Sequence, residues 1–248
     1  MTTTETPASP PPPATPKPNG LQRIAGVLVS PDETFASIAR QPTFLAPLIL
    51  IIVVSAVTGI VFAQRVDFVS ATREAMEQRG NMTEAQMESA LRITGIVSKI
   101  ISYGSPLFSV IVLLLIAAIM LLAFRVMGGE GTFDQAFSVT VYSWMPQIIK
   151  AVVMTIIIAM KTGVTVVDIP ILVRSNPAFL VTMKEHPMLF TLLTNLDIFG
   201  IWTLVLFIFG FAYVAKVSKA KSAATVITLR VISVLFGLIG PAIQSLRK

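Results

Sequence analysis

The sequence contains five apolar stretches, each long enough to cross a lipid bilayer as a helix. A bilayer core of about 30 Å needs about 20 apolar residues at a rise of about 1.5 Å per residue. A chain with 54% hydrophobic and 13% charged residues cannot bury this much apolar surface in a water-soluble core. These features predict an all-α fold, an integral membrane bundle of five transmembrane helices. Two stretches carry no charge and three carry one each, and they cover residues 42–64, 100–124, 136–160, 192–215 and 223–243.

The first 19 residues have a different composition from the rest of the chain. Seven of the twelve residues from 7 to 18 are proline, and no apolar side chain there is available to pack. This predicts a disordered, polyproline-like tail over 1–19, followed by a membrane domain over 20–248. The tail lacks the features of a signal peptide, so we expect the first membrane helix to direct insertion.

Two short helices are predicted between the tail and the first span, at the membrane surface. The first starts after Asn19, where apolar residues recur at helical spacing. The second starts at Ser30, which is a candidate N-cap, and Pro31 suits the first helical position. Glu33 stands where a capping box needs its acidic partner.

Two longer connections separate the spans. Residues 66–99 predict a helical hairpin outside the bilayer, with Gly80 and Asn81 ending its first helix and a capping box at Thr83 starting its second. The connection 161–189 contains an apolar stretch that is too short to span. We interpret it as an interfacial or re-entrant cap, with an ordinary loop as the alternative.

The glycine-rich segment 128–131 superficially resembles a phosphate-binding loop. It follows a membrane span, and it has neither the strand context of a dinucleotide fingerprint nor the lysine of a Walker loop. The segment therefore predicts a tight turn between helices, with Thr132 as the cap of the third span.

Pro146 lies inside the third predicted span. Proline removes a backbone donor and clashes with the preceding turn, so a helix kink is expected from Tyr142 to Trp144. The kink exposes backbone carbonyl groups, which suits a functional cavity, but a kink that serves packing alone is the interpretation we favour.

Three charged residues fall inside predicted spans. Lys150 lies close to mid-bilayer, where an unpaired cation costs at least about 2.5 kcal/mol. Asp197 enters at a similar depth if its span starts near residue 192, which gives the hypothesis of a buried Lys150–Asp197 pair. If that helix starts at Ile198 instead, Asp197 is its cap at the interface. Arg230 lies near a loop and is expected to snorkel.

The sequence offers little for catalysis, metal binding or nucleic-acid binding. The chain has no cysteine, and its single histidine is His186, in a connection. No hydrolase or metalloprotease motif occurs, so we expect no catalytic residues, no metal and no cofactor. The formal charge of +6 comes from cations scattered at span ends, which argues against a nucleic-acid partner.

Orientation follows from the distribution of cations. Seven Lys or Arg residues lie on the amino-terminal side and ten on the other, but the long connections mix cations with acids. The short loop after the fourth span carries Lys216, Lys219 and Lys221 and no acid, which favours a cytoplasmic N-terminus. These three lysines are candidate contacts to lipid headgroups, with simple anchoring of helix ends as the alternative.

Three segments together resemble the Yip domain family, five-span membrane proteins named for interacting with Ypt/Rab GTPases. They are VLVSPDETFASIARQP, GGEGTFDQAFSVTVYSWMPQII and LDIFGIWTLVLFIFGFAYVAKVSKAKSAATV, and the resemblance covers about residues 20 to 243. It implies a helical membrane bundle with a cytoplasmic N-terminus, and it is strongest to the bacterial branch, in which Rab partners are absent. The recurrent positions that it implies are Pro31, Phe35, Gly129, Phe133, Tyr142, Pro146, Asp197, Phe199 and Trp202.

The expected function is that of a non-enzymatic, multi-pass protein of a bacterial cytoplasmic membrane, an adaptor or membrane-organising factor. Its expected partners are membrane lipids and other membrane or membrane-associated proteins, with a Rab-type GTPase entering through family analogy. The alternative is a small transporter or channel that uses the Pro146 kink with Lys150 and Asp197. Fold similarity alone does not decide between them.

Overall fold

A computed structural model describes residues 19–77 and 82–246 of the chain. These residues form a helical bundle with one pair of two-residue strands. The predicted tail falls almost wholly within residues 1–18 and so lies outside the described residues. The elements are α1 Gly20–Val29, α2 Pro31–Arg40, α3 Leu45–Arg65, β1 Val66–Asp67, α4 Val69–Glu77, α5 Glu84–Tyr103, α6 Ser105–Val126, α7 Phe133–Ser143, α8 Met145–Met160, β2 Val164–Thr165, α9 Pro187–Thr194, α10 Ile198–Val214 and α11 Lys219–Leu246.

The described residues include four helical stretches that are long and apolar enough to cross a membrane. They are α3, α6, α7 with α8, and α11. A fifth span results if α9 and α10, which meet at a bend of 51°, cross together. The predicted all-α membrane bundle is therefore confirmed, and the predicted fourth span corresponds to the bent pair α9 and α10.

The second span starts later than the sequence indicated. Helix α5 continues to Tyr103, Gly104 separates the two helices, and α6 begins at Ser105. Pro106 sits in the first turn of α6, where its missing N–H costs nothing, whereas it could not continue α5. The apolar helix that is long enough to cross is therefore Ser105–Val126, and the five residues before it belong to the end of α5 and the break.

Small residues bring α3 and α6 close together. Ser105 Oγ donates a hydrogen bond to the Ser55 carbonyl oxygen at 2.8 Å, and the Ser55 and Ser109 hydroxyl oxygens lie 2.9 Å apart. A Cβ atom on Gly59 would clash with Ser102 and Ser105. Such close contact of backbones through small residues and hydroxyl groups is typical of helix pairs in membranes.

The aromatic core lies at one end of the bundle, which we call the amino-terminal end because it holds α1 and α2. Phe35 of α2 is fully buried, and its ring lies 3.1 Å from the position of a Cβ on Gly210. Phe124 of α6 stacks on Phe211 of α10 with ring centroids 5.1 Å apart. The two short helices are thus packed against the spans.

The capping of the two short helices differs in part from the prediction. Asn19 caps α1 in a capping box: its Oδ1 accepts the Gln22 N–H at 2.8 Å, and its own backbone N–H donates to Gln22 Oε1 at 2.9 Å. Ser30 makes no side-chain cap for α2, so the capping box predicted with Glu33 is wrong. The Ser30 backbone instead ends α1, donating its N–H to Gly26, and its carbonyl accepts from the Thr34 hydroxyl at 2.8 Å.

The two long connections meet at the opposite end of the bundle. Strands β1 and β2 pair in parallel with Val66 opposite Val164, so residues 66–99 and 161–189 contact each other there. The second connection also contains two 3₁₀ turns, at Ile169–Ile171 and Pro177–Leu180.

The first of these connections contains the two helices predicted for it. The predicted capping box at Thr83 is present at the start of α5. The predicted helix stop at Gly80 and Asn81 lies outside the described residues.

Candidate functional site

The third span is broken where the kink was expected. Helix α7 ends at Ser143 and α8 begins at Met145, with Trp144 between them and Pro146 in the first turn of α8. The Trp144 N–H still reaches the carbonyl oxygens of Thr140 and Val141 at 3.2 and 3.3 Å. The two helices together are still apolar and long enough to count as one span.

Tyr142 lies just before this break and is fully buried in the core. Its hydroxyl oxygen lies 3.5 Å from Thr43 Oγ1, between α2 and α3. Arg23 of α1, which is 3% exposed, donates to the same Thr43 hydroxyl and to the Gln41 carbonyl, both at 2.8 Å. Polar groups therefore link the start of the bundle to the third span.

The structure brings Lys150 of α8 and Asp197 together. Lys150 Nζ lies 2.7 Å from Asp197 Oδ2, and the two side chains are 21% and 7% exposed. Helix α10 begins at Ile198, and Asp197 Oδ1 accepts the Gly200 N–H at 3.0 Å as its cap. One carboxylate oxygen of Asp197 thus contacts Lys150 and the other caps α10. A functional role for this pair stays a prediction.

A third group also contacts this carboxylate. Ser175, in the connection between α8 and α9, donates its hydroxyl to Asp197 Oδ2. The Ser175 carbonyl in turn accepts the Ile198 N–H at 3.0 Å. The connection 161–189 therefore reaches the start of α10, a contact that no sequence pattern indicated.

Arg230 of α11 does not extend to the interface as expected. Its Nη2 donates to Asn195 Oδ1 at 2.9 Å, in the break between α9 and α10. Among the described residues, no carboxylate oxygen lies within 4.0 Å of this guanidinium group. Arg230 thus contacts the break between α9 and α10, where the sequence predicted snorkelling. A cation held by a neutral amide inside a span is costly, by about 2.5 kcal/mol or more.

A cavity of about 520 Å³ opens beside these groups, between α6, α8, α10 and α11. Its polar wall includes a hydrogen bond from the Gln147 amide to the Thr203 hydroxyl at 3.3 Å. Its apolar wall comes from α6, α10 and α11. The lining residues are Ile116, Ile119, Met120, Trp144, Gln147, Lys150, Thr194, Asp197, Gly200, Thr203, Leu204, Phe207, Val226, Leu229, Arg230 and Ser233.

Two of the three candidate headgroup lysines have acidic partners at the amino-terminal end. Lys216 Nζ lies 2.5 Å from Glu130 Oε2, and Lys219 Nζ lies 2.6 Å from Asp32 Oδ1. Lys221 is exposed, with no acidic partner among residues 19–77 and 82–246. At Lys216 and Lys219 the acidic partner therefore competes with a lipid headgroup for the ammonium group.

Asp32 is the centre of the contact between α2 and the α10–α11 corner. Its Oδ1 also accepts the Tyr213 hydroxyl at 2.8 Å. The hydrogen bond from Lys219 and then that from Tyr213 hold the pKa of Asp32 below its ordinary value. The carboxylate form, which accepts both bonds, is thereby favoured.

The glycine-rich segment forms the expected turn at the same end. Gly128 and Gly131 have φ of +76° and +115°, which suits glycine. The Glu130 N–H donates to the Ala215 carbonyl at 3.0 Å, so this turn contacts the α10–α11 loop. Thr132 caps α7 in a capping box. The backbone of the turn is thus used for helix contacts.

The sequence patterns missed the groups that complete these contacts. Nothing in the local pattern points to Ser175, Asn195 or Tyr213, because their partners are more than 20 residues away along the chain. The usable signal was the cost of charge within a span, which requires a partner for Arg230 as it does for Lys150. In the described part of the chain, no cluster of three His, Cys, Asp or Glu residues is suited to a metal.

Comparison with known proteins gives one match. No curated protein and no solved structure matches the chain. The family model described as the Yip1 domain matches residues 25–240, which include the first four spans, most of the fifth, all of α2 and the second half of α1. The chain therefore belongs to the Yip1 domain family.

Proposed function

We propose that this protein is a non-catalytic membrane adaptor that presents α1 and α2 as a fixed platform at the amino-terminal end of its bundle. The contact of Asp32 with Lys219 and Tyr213 is the observation that carries this proposal. It fastens a short helix outside the spans to the corner between the last two spans. A binding surface on rigid elements loses less entropy when a partner docks.

The platform has a buried side and an exposed side. Val27, Phe35 and Ile38 are fully buried against the spans. Leu21 and Val29 of α1 are 72% and 81% exposed. Exposed apolar side chains on an ordered surface helix suit contact with a membrane-associated protein or with the lipid interface.

We further propose that this end faces the cytoplasm of a bacterial cell. The support is the positive-inside rule applied to the short α10–α11 loop, with Lys216, Lys219 and Lys221. Arg23 and Arg125 lie at the same end. The partner sought is a membrane or membrane-associated protein, because Rab-type GTPases enter by analogy with eukaryotic relatives alone.

A photo-crosslinking residue at Val29 tests the adaptor proposal in native membranes. We expect a discrete protein adduct that is lost when Asp32→Lys repels Lys219 and releases α2. A crosslinker at Leu235, which is 59% exposed within α11, is the matched control for general lipid-facing contacts. Adducts that are the same at both positions, or only lipid adducts at Val29, would refute the adaptor role.

The rival proposal is a transporter or channel, and the cavity beside Lys150 and Asp197 is the observation that favours it. Against it, both oxygens of Asp197 already accept hydrogen bonds, one of them as a helix cap. An odd number of spans without visible inverted repeats also differs from common transporter folds. Solute uptake into proteoliposomes that disappears with Lys150→Ala would favour the transporter over the adaptor.

We also propose headgroup attraction by the basic loop, mainly through Lys221. Each lysine near an anionic surface contributes about 1 kcal/mol. Because Lys216 is held by Glu130, Lys216→Gln should change the enrichment of anionic lipid around the reconstituted protein less than Lys221→Gln does. Equal effects of the two variants would leave simple anchoring as the better account.

A further inference from the structure

The cavity between α6, α8, α10 and α11 contains unbalanced charge. Lys150 and Asp197 neutralise each other at 2.7 Å. Arg230 also lines the cavity, and its hydrogen-bond acceptor is the neutral side chain of Asn195. The charged groups of the lining are therefore two cations and one acid, which gives a net charge of +1.

This charge lies within the spans. Arg230 comes 11 residues after Lys219, since 230 − 219 = 11, which is about 17 Å along α11. Lys150 comes 10 residues before Met160, since 160 − 150 = 10, which is about 15 Å along α8. At these depths an unbalanced cation favours an anion that is itself part of the membrane over one that must leave water.

The rim of the cavity is apolar and exposed on its outer side. Ile119 of α6 is 55% exposed, and Phe236 of α11, three residues after Ser233, is 70% exposed. Acyl chains can lie against these side chains while a polar group enters between the helices. The volume of about 520 Å³ falls within the range of about 300 to 1,000 Å³ that is usual for small-molecule sites.

We propose that this cavity binds an anionic glycerophospholipid, whose phosphate group accepts hydrogen bonds from Arg230. The guanidinium fork has donors beyond the one used by Asn195, and it matches phosphate geometry. The Ser233 hydroxyl group is a further donor in the lining. A single negative headgroup charge balances the net charge of +1.

Charge also sets the selectivity. A phosphatidylcholine headgroup has the same phosphate but adds a cation, so its net charge is zero and the cavity keeps its net charge of +1. Asp197 is a poor partner for that cation, because its charge is already neutralised by Lys150, it also accepts from Ser175 and Gly200, and its side chain is 7% exposed. The site is therefore selective for net negative headgroups over zwitterionic ones. The lipid site contains no residue of α1 or α2, so the lipid proposal can be tested independently of the adaptor proposal.

Native mass spectrometry of the full chain, released from detergent, measures this binding directly. The protein is titrated with dioleoyl phosphatidylglycerol, with dioleoyl phosphatidylcholine and with inorganic phosphate. We expect phosphatidylglycerol to bind about tenfold more tightly than phosphatidylcholine, and Arg230→Gln to abolish most of that preference. Arg92→Gln, which removes an exposed charge on α5, should change binding less than about twofold.

A second variant keeps the test independent of the stability of Arg230→Gln. Ser233→Trp keeps every charge but fills the cavity mouth, so it should lower retention of phosphatidylglycerol as well. Equal binding of the two lipids, or unchanged binding in both variants, would overturn the proposal. Displacement of the lipid by inorganic phosphate would overturn it too, since that result assigns the cavity to a soluble anion.

Discussion

The pair formed by Lys150 and Asp197 makes a quantitative prediction about stability. The ion pair has an N···O distance of 2.7 Å, and the acid is the more buried partner at 7% exposure. At an effective dielectric constant of about 20, charges at this distance attract by about 6 kcal/mol before desolvation is subtracted. Desolvation cancels much of this, so each partner matters most through the charge it would leave unpaired.

The single variants should differ in cost. Lys150→Met leaves the Asp197 carboxylate buried with the Ser175 and Gly200 donors, which we expect to cost about 3 kcal/mol. Asp197→Asn keeps a capping side chain at the start of α10 but leaves the ammonium group, which is 21% exposed to the cavity. Its expected cost is lower, about 2 kcal/mol.

The double variant isolates the interaction. Additive costs would amount to about 5 kcal/mol, whereas removing both charges leaves none unpaired, so we expect about 3 kcal/mol or less. The assay is reversible unfolding in mixed micelles, followed by tryptophan fluorescence or circular dichroism. A double variant within about 0.5 kcal/mol of the additive value would refute a coupled pair.

Three further predictions concern the helix contacts. Protonation of Asp32 should release α2: because its folded pKa is lowered from 3.8, the contact is complete above that value and is lost as the pH falls through the lowered one. The hydrogen-exchange protection factors in α2, which are corrected for the intrinsic exchange rate at each pH, should thus stay constant between about pH 5 and about pH 8, and Asp32→Asn should lower them throughout. Gly59→Ala should lower the unfolding free energy by about 1 to 3 kcal/mol, since its Cβ strikes the Ser102 carbonyl of α5 and the Ser105 hydroxyl of α6, whereas Gly237→Ala, with open space around it, should not lower it. Gly131→Ala should cost about 1 to 2 kcal/mol in the same assay, because its φ is +115°.

Much of the fold follows from simple physical constraints on sequence. Apolar length predicted the spans because lipid leaves a helix few alternatives, and Pro146 predicted the break at Trp144 because its ring cannot sit inside a regular helix. The capping interactions at Thr83 and Thr132 were predictable for a similar reason, because each joins residues that are three positions apart in the sequence. The second span was misplaced because residues 100–103 are uncharged yet belong to α5.

The polar site was harder to predict because its partners are distant in sequence. Charge inside a span says that a partner exists but does not identify it, so Asp197 was open to two interpretations and Arg230 was assigned to the interface. Ser30 failed as a cap because its backbone already ends α1, which depends on how two helices join. Local rules place elements, whereas tertiary packing decides which polar groups meet.

Labelling of single cysteines tests the five-span bundle most directly, because the chain has no cysteine of its own. Cysteines at Thr162, Ala220 and Ser245 report the α8–α9 connection, the start of α11 and its end. If α9 and α10 cross the membrane together, a membrane-impermeant maleimide applied from one side should label Thr162→Cys and Ser245→Cys alike and spare Ala220→Cys. Labelling of Ala220→Cys together with Thr162→Cys from the same side would contradict this topology.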